Sequence, residues 1–285
     1  MKSKIKLVAL SAILLALTGC GKGADTAQTS SDSQETSAPE LTEVKLGLVG
    51  EHNDEWKDVA QRLEAKGIKL TLVRFADYSL PNGALDEGEI DLNAFQHKAY
   101  LNNDINNHGY KLSVIANTVI APLSAYSDKI KSIDELKEGD TIAIANDLTN
   151  GGRALKALET GGVIKVDPEK GYIPDVVDIT ENPKNLKFYQ VDAGNLPSLI
   201  PDVAMAFINA NFAVERGLDP SKDAIFSDTT GEIDDKNPYV NIIVARTAEV
   251  DRPEFKTIIE EYQTKRTAEI ILESYKGGYL PVFKY

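Results

Sequence analysis

One cysteine, one tryptophan, two methionines and three histidines are all that 285 residues supply of those types. With Cys20 as the only cysteine, no internal disulfide can form, and the fold must be held by its own core. His52, His97 and His108 are the whole imidazole inventory, so a histidine-built metal centre would need all three to converge, with acids filling the remaining positions. No His-x-x-x-His, Cys-x-x-Cys, Gly-x-Ser-x-Gly or Gly-x-x-x-x-Gly-Lys pattern occurs, which leaves an enzyme reading without a nucleophile, metal or phosphate motif. Positive charge is also short. Lys and Arg number 31 against 44 acids, a formal charge of -13, and that balance argues against nucleic acid or anionic headgroups as partners. Carboxylates are abundant, so the sequence leaves a carboxylate pair open.

What is present begins with the amino terminus. Lys2, Lys4 and Lys6 precede an apolar run from Leu7 to Leu17 that is too short to span a bilayer, and Leu17-Thr18-Gly19-Cys20 closes it. A basic start, a short apolar stretch and small residues at the end describe a secretory signal peptide over residues 1–19. The closing tetrad resembles the lipobox of bacterial lipoproteins, which implies lipidation of Cys20 and a membrane anchor at the new amino terminus. Removal of the signal peptide takes away three lysines and no acid, moving the formal charge from -13 to -16. Residues 20–41, rich in Ser, Thr, Gln and Ala, lack the apolar surface needed to offset ordering entropy and read as a flexible tether.

The body from Thr42 alternates strand and helix. Val44–Val49 is an apolar run, Asp54–Ala65 carries Trp56, Val59, Ala60 and Leu63 at helical spacing, and Lys69–Phe75 is a second strand, together a βαβ unit with a parallel pair. The pattern continues with a short helix from Asn82, a strand over Ile90–Phe95, a helix from Gln96 to Asn107 and a long strand over Tyr110–Val119. A second series follows: a strand over Thr141–Ala145, a helix from Gly151 to Glu159, strands over Leu186–Val191 and Val203–Ile208, and a helix from Asn211 to Arg216. Tyr239–Ala245 is the last strong strand, and helices follow from Arg252. The fold class is α/β, and a core of this length is near the size at which chains divide. Ala121-Pro122 and Asn237-Pro238 mark the expected passages between two lobes, 42–120 plus 239–285 and 121–238.

Four stretches carry candidate site residues. Asp91 to Tyr100 ends a strand with Phe95, His97 and Tyr100, a density of stacking and hydrogen-bonding groups at the strand end where α/β domains bind ligands, although core and rim packing is the commoner role of such residues. In Asn146 to Leu155 a helix that opens on Gly151 and Gly152 offers free N–H groups to an anion, and Arg153 can grip a carboxylate bidentately. An Asn or Thr helix cap with a surface Arg fits the same segment. Ile208-Asn209-Ala210-Asn211 ends a strand in two amides able to accept from an ammonium group, with Asn211 assigned to capping. Tyr78 follows Phe75-Ala76-Asp77 at another strand end.

Taken together, Phe75-Ala76-Asp77-Tyr78, Gly88 through His97, Asn146 through Leu155, Glu181 through Lys187, Ile208-Asn209 and Pro238-Tyr239-Val240-Asn241 resemble the NlpA and MetQ family of methionine-binding lipoproteins, in the family's order and over nearly the whole body. The resemblance implies a two-lobed periplasmic-binding-protein-like fold, joined by two crossing segments and closing on an amino acid, L-methionine favoured. Arg153 would then hold the α-carboxylate, Asn209 and Asn241 the head group, and Tyr78, Phe95, His97 and Tyr100 the side chain. An ABC-transporter permease and the membrane, reached through Cys20, are the implied partners. No cofactor, metal or nucleic acid is implied, and the location is the extracytoplasmic face of the cell membrane. D-methionine, a methionine-containing dipeptide or another amino acid are alternative ligands, and a surface adhesin or scaffold is the alternative outside transport. After the first strand, Gly50-Glu51-His52-Asn53-Asp54-Glu55-Trp56 departs from the family's run of small residues and Pro.

Overall fold

The computed structural model describes residues 41–228 and 236–285. Two sheets organise these residues, and the strongest apolar runs lie at their centres. In the first sheet β1 (Thr42–Val49) pairs in parallel with β2 (Ile68–Phe75) over eight residues, and α1 (Asp54–Glu64) crosses between them. α2 (Pro81–Asp86) leads to β3 (Leu92–Asn93) on the other side of β1, and α3 (Lys98–His108) leads to β4 (Leu112–Ile120). β4 is not the neighbour of β3. A strand from the far end of the chain, β12 (Val240–Arg246), enters antiparallel between them, and with β13 (Leu280–Pro281) at the edge the order is β13-β4-β12-β3-β1-β2.

The second sheet takes β5 (Ser124–Tyr126), β6 (Thr141–Ala145), β9 (Lys187–Val191), β10 (Met205–Ile208) and β11 (Phe226–Ser227), in the order β11-β5-β10-β6-β9. α4 (Leu148–Thr160) follows β6, a small hairpin of β7 (Lys165–Val166) and β8 (Ile179–Glu181) lies beyond it, and α5 (Ala210–Glu215) follows β10. The chain returns to the first sheet as β12 (Val240–Arg246), then α6 (Pro253–Tyr262), α7 (Lys265–Ser274) and β13 (Leu280–Pro281).

Both faces of each sheet are covered, so β6 and β10 are buried almost throughout instead of alternating. One face of the first sheet packs Leu46 and Leu48 with Trp56, Phe255, Ile258 and Ile271 from α1, α6 and α7, and the Trp56 and Tyr262 rings stack at 4.4 Å. Each such side chain contributes about 1.5–3 kcal/mol on full burial. The other face holds Leu85, Leu101, Ile242 and Val244. These two cores lock the strand ends that carry the site.

Four of the boundaries that differ from those expected bear on the site. The strand expected over Ile90–Phe95 is only Leu92–Asn93, and the buried side-chain amides of Asn93 and Gln96 donate to Asn82 Oδ1 at 2.9 and 2.6 Å. α3 begins at Lys98, not Gln96, with His97 as its cap: His97 Nδ1 accepts from the Tyr100 N–H at 3.0 Å. α4 begins at Leu148, not Gly151, because the Asp147 carboxylate accepts from the N–H groups of Thr149 and Asn150. α5 begins at Ala210 with Asn209 in the cap position, so Asn211 is not the cap.

Candidate functional site

All seven residues expected at the site, Tyr78, Phe95, His97, Tyr100, Arg153, Asn209 and Asn241, line one cavity. They come from the ends of β2, β3 and β10, from α3 and α4, and from β12, so strands of both sheets contribute. Asn150, Asn211, Gln96 and Tyr279 add polar groups to the wall and were not expected there as ligand-facing groups.

The aromatic side is a cluster. Tyr78 stands 5.8 Å from Phe95, 6.1 Å from Tyr100 and 5.3 Å from Phe212, ring centre to ring centre. The Tyr78 hydroxyl donates to Asn211 Oδ1 at 2.8 Å, and the Tyr100 hydroxyl donates to the Tyr78 carbonyl at 3.0 Å. Asn211 is therefore spent on fixing Tyr78. Burial raises the pKa of both hydroxyls, so they remain neutral donors.

The polar side is set by a relay. Asp147, as a carboxylate, only accepts, and both its oxygens accept from Asn150 Nδ2 at 3.1 and 2.9 Å. That fixes the Asn150 amide, whose Oδ1 then accepts from Asn209 Nδ2 at 2.9 Å. Asn209 is consequently oriented with Oδ1 turned the other way, and that oxygen is buried without a partner among the described residues. The relay makes it an acceptor facing the cavity.

His97 supplies the matching donor. Burial first, and the Arg153 charge second, push its pKa down to about 3, so the ring is neutral. Nδ1 is occupied as the acceptor for Tyr100 N–H, which places the one ring proton on Nε2. Among the described residues Nε2 is buried with no partner in hydrogen-bonding geometry; Asn150 is the polar neighbour that favours the charged form, against the two larger effects. One orphan donor and one orphan acceptor thus line the same cavity.

Arg153 is placed as expected but is not a free cation. Its Nε donates to Asp228 Oδ2 at 2.5 Å, its Nη2 donates to Asp228 and to the Ala121 carbonyl, and its guanidinium carbon lies 4.1 Å from the Tyr239 ring centre. Two of its three nitrogens are engaged by the protein, which corrects the picture of an open bidentate grip. The role expected of Gly151 and Gly152 is also corrected. They lie inside α4, past the N–H groups that Asp147 already holds, and a Cβ on Gly151 would stand 2.5 Å from the Ala145 carbonyl oxygen. A Cβ on Gly152 would meet the Pro174 carbonyl oxygen at 2.9 Å. The two glycines bring α4 close to neighbouring backbone and open no anion site. No group of three or more His, Cys, Asp or Glu able to hold a metal occurs among the described residues.

The profile of the NlpA lipoproteins matches residues 44–283. The chain belongs to the NlpA lipoprotein family. Among its relatives, the D-methionine-binding lipoprotein MetQ of Yersinia pestis is 39% identical over 285 residues, covering 98% of each chain. MetQ of Escherichia coli K12, named in the same way, is 40% identical over 268 residues, covering 93% of this chain and 92% of its own. Among solved structures, a nutrient binding protein from Burkholderia cenocepacia bound to methionine superposes with a TM-score of 0.80 at 38% identity, over 84% of this chain and all of that one. The α/β fold is accordingly the two-lobed fold of substrate-binding proteins. The NlpA family is one of binding lipoproteins and not of enzymes. Cys20, the signal peptide and nearly all of the tether lie outside the described residues.

Proposed function

We propose that this chain is a lipid-anchored receptor, held through Cys20 at the extracytoplasmic face of the cell membrane, that captures methionine and delivers it to the permease of an ABC importer. Residues 42–120 with 239–285 form one jaw and 121–238 the other, and the seven cavity residues are the ligand contacts. The observation that carries the reading is the pair of orphan groups, the His97 Nε2–H donor and the Asn209 Oδ1 acceptor, beside the Arg153 guanidinium. An amino-acid zwitterion offers an ammonium for the acceptor and a carboxylate for the donor and cation, and satisfies both at once. The Tyr78, Phe95 and Tyr100 rings suit an unbranched thioether, whose sulfur gains from ring-edge contacts. The relatives named for D-methionine and the neighbour bound to methionine support that ligand over other amino acids.

Calorimetry on protein unfolded and refolded to strip carried ligand tests this directly. Titration with L-methionine, D-methionine and a methionine dipeptide should give heat and a raised melting temperature for at least one of them. Silence from all three defeats the reading and favours a scaffold or adhesin.

A further inference from the structure

Phe95, Asn211, Asn241 and Tyr279 line the cavity just described and also line a second, adjoining chamber. The stacked Trp56 and Tyr262 line the second chamber as well, and so does Glu55. Among the described residues, no Lys, Arg or His lines this chamber. Glu55, in the first turn of α1, is 3% exposed, and its Oε2 has no hydrogen-bond partner among the described residues. Its Oε1 is 3.5 Å from the Tyr275 hydroxyl, whose single hydrogen is given instead to the His52 carbonyl at 2.5 Å. Oε2 is therefore unserved among the described residues, and the carboxyl otherwise has its own backbone N–H and the long Tyr275 contact beside it, in a site walled largely by aromatic rings.

Such a group costs free energy unless something completes it. An anion would find no counter-charge there, and an apolar group would leave the carboxyl as unpaired as before. We propose that the chamber is a subsite for a primary ammonium group, held by the Glu55 carboxylate and by the rings of Trp56, Phe95, Tyr262 and Tyr279. Burial is the main cause that pushes Glu55 up to about 8; the Asp54 charge adds to it, while the Glu55 backbone N–H, Tyr275 and Lys57 oppose it. The tyrosines facing it stay protonated, their pKa values also raised. At neutral pH the empty chamber is thus uncharged. When a cation enters, the Glu55 O–H bond breaks, the proton passes to solvent, and the carboxylate pairs with the ammonium, so that no net charge is added to the interior. The inference goes beyond methionine capture and needs only that the two chambers adjoin.

The test titrates the refolded protein at pH 7 with methylammonium chloride alone, with lysine, whose second amine is tethered to an amino-acid head group, and with methionine as the reference. Each titration is run in two buffers of different ionisation enthalpy. The expected result is saturable binding of methylammonium or lysine with release of about one proton, together with loss of the infrared band of a protonated carboxyl. Release with methylammonium identifies a separate amine site, and release with lysine alone identifies one ligand spanning both chambers. Glu55→Gln, checked for folding by its melting curve, should abolish the release. Amine binding without proton release, no binding by either amine, or release that persists in Glu55→Gln overturns the proposal. Failure of methionine to bind in the same series bears on the capture reading instead, and the infrared measurement needs no variant.

Discussion

Replacing Asp147 by Asn would change one atom at the start of the relay and should reverse its end. Asn and Asp serve equally as helix caps, and the retained oxygen can still accept from the N–H groups of Thr149 and Asn150. The new amide nitrogen cannot accept from Asn150 Nδ2, so two donors would face one another where the wild type has a 2.9 Å bond. Turning Asn150 relieves that conflict and presents its nitrogen to Asn209, which must turn in its own right to accept. The cavity then faces a donor where Asn209 Oδ1 stood. A hydrogen bond to a charged group is worth about 1.5–3 kcal/mol, so loss of the ammonium contact should weaken binding by roughly 10- to 150-fold. Stability should fall by only about 1 kcal/mol, the scale of one cap interaction. The assay is calorimetry with methionine and with its des-amino analogue, 4-(methylthio)butanoate. The wild type should prefer methionine, and Asp147→Asn should lose that preference while retaining a cooperative melt. A folded variant that still discriminates between the two ligands as the wild type does would refute the relay.

Arg153→Ala should abolish amino-acid binding and also destabilise the fold by about 3–5 kcal/mol, because Asp228, 8% exposed in its side chain, is left as a buried unpaired charge. Asp228→Asn added to it should restore much of the urea midpoint but not affinity; full affinity in the double variant would remove Arg153 from the ligand contacts. His97 and Glu55 should tilt stability in opposite directions with pH. The unfolded chain protonates His97 below about 6.5 whereas the native ring stays neutral down to about 3, so stability is lost as pH falls through that window, by up to about 1.4 kcal/mol per unit. For Glu55 the unfolded chain ionises above 4.5 while the native carboxyl holds its proton up to about 8, so stability falls as pH rises through that window. Urea melts of Glu55→Gln across pH 5–8 should show a flatter alkaline decline than the wild type, and an unchanged slope would contradict the buried neutral acid. Gly151→Ala, which gains about 1 kcal/mol in an open helix, should instead cost roughly 1–3 kcal/mol here because its Cβ meets the Ala145 carbonyl oxygen at 2.5 Å; a raised urea midpoint would show that the backbone gives way.

Local pattern determined much of this protein by itself. Apolar runs with helical spacing between them specify β1, α1 and β2 and their parallel pairing, because side-chain periodicity and the short crossover are properties of adjacent residues. Phe95, His97 and Tyr100 were legible as a cluster because they lie within six positions of one strand end. Other features depend on residues far apart in the chain. The insertion of β12 between β3 and β4 joins segments more than a hundred positions apart, and no local period encodes it. Asp147 was hidden by the two glycines after it, since a cap is recognisable only when its carboxylate is seen to accept the helix N–H groups. The partnership of Arg153 with Asp228, the direction of the Asn209 amide and the unserved Glu55 Oε2 are likewise decided in space. A sequence states which groups can donate or accept. Only packing decides which of them are already satisfied, and the unsatisfied remainder is what a ligand can bind.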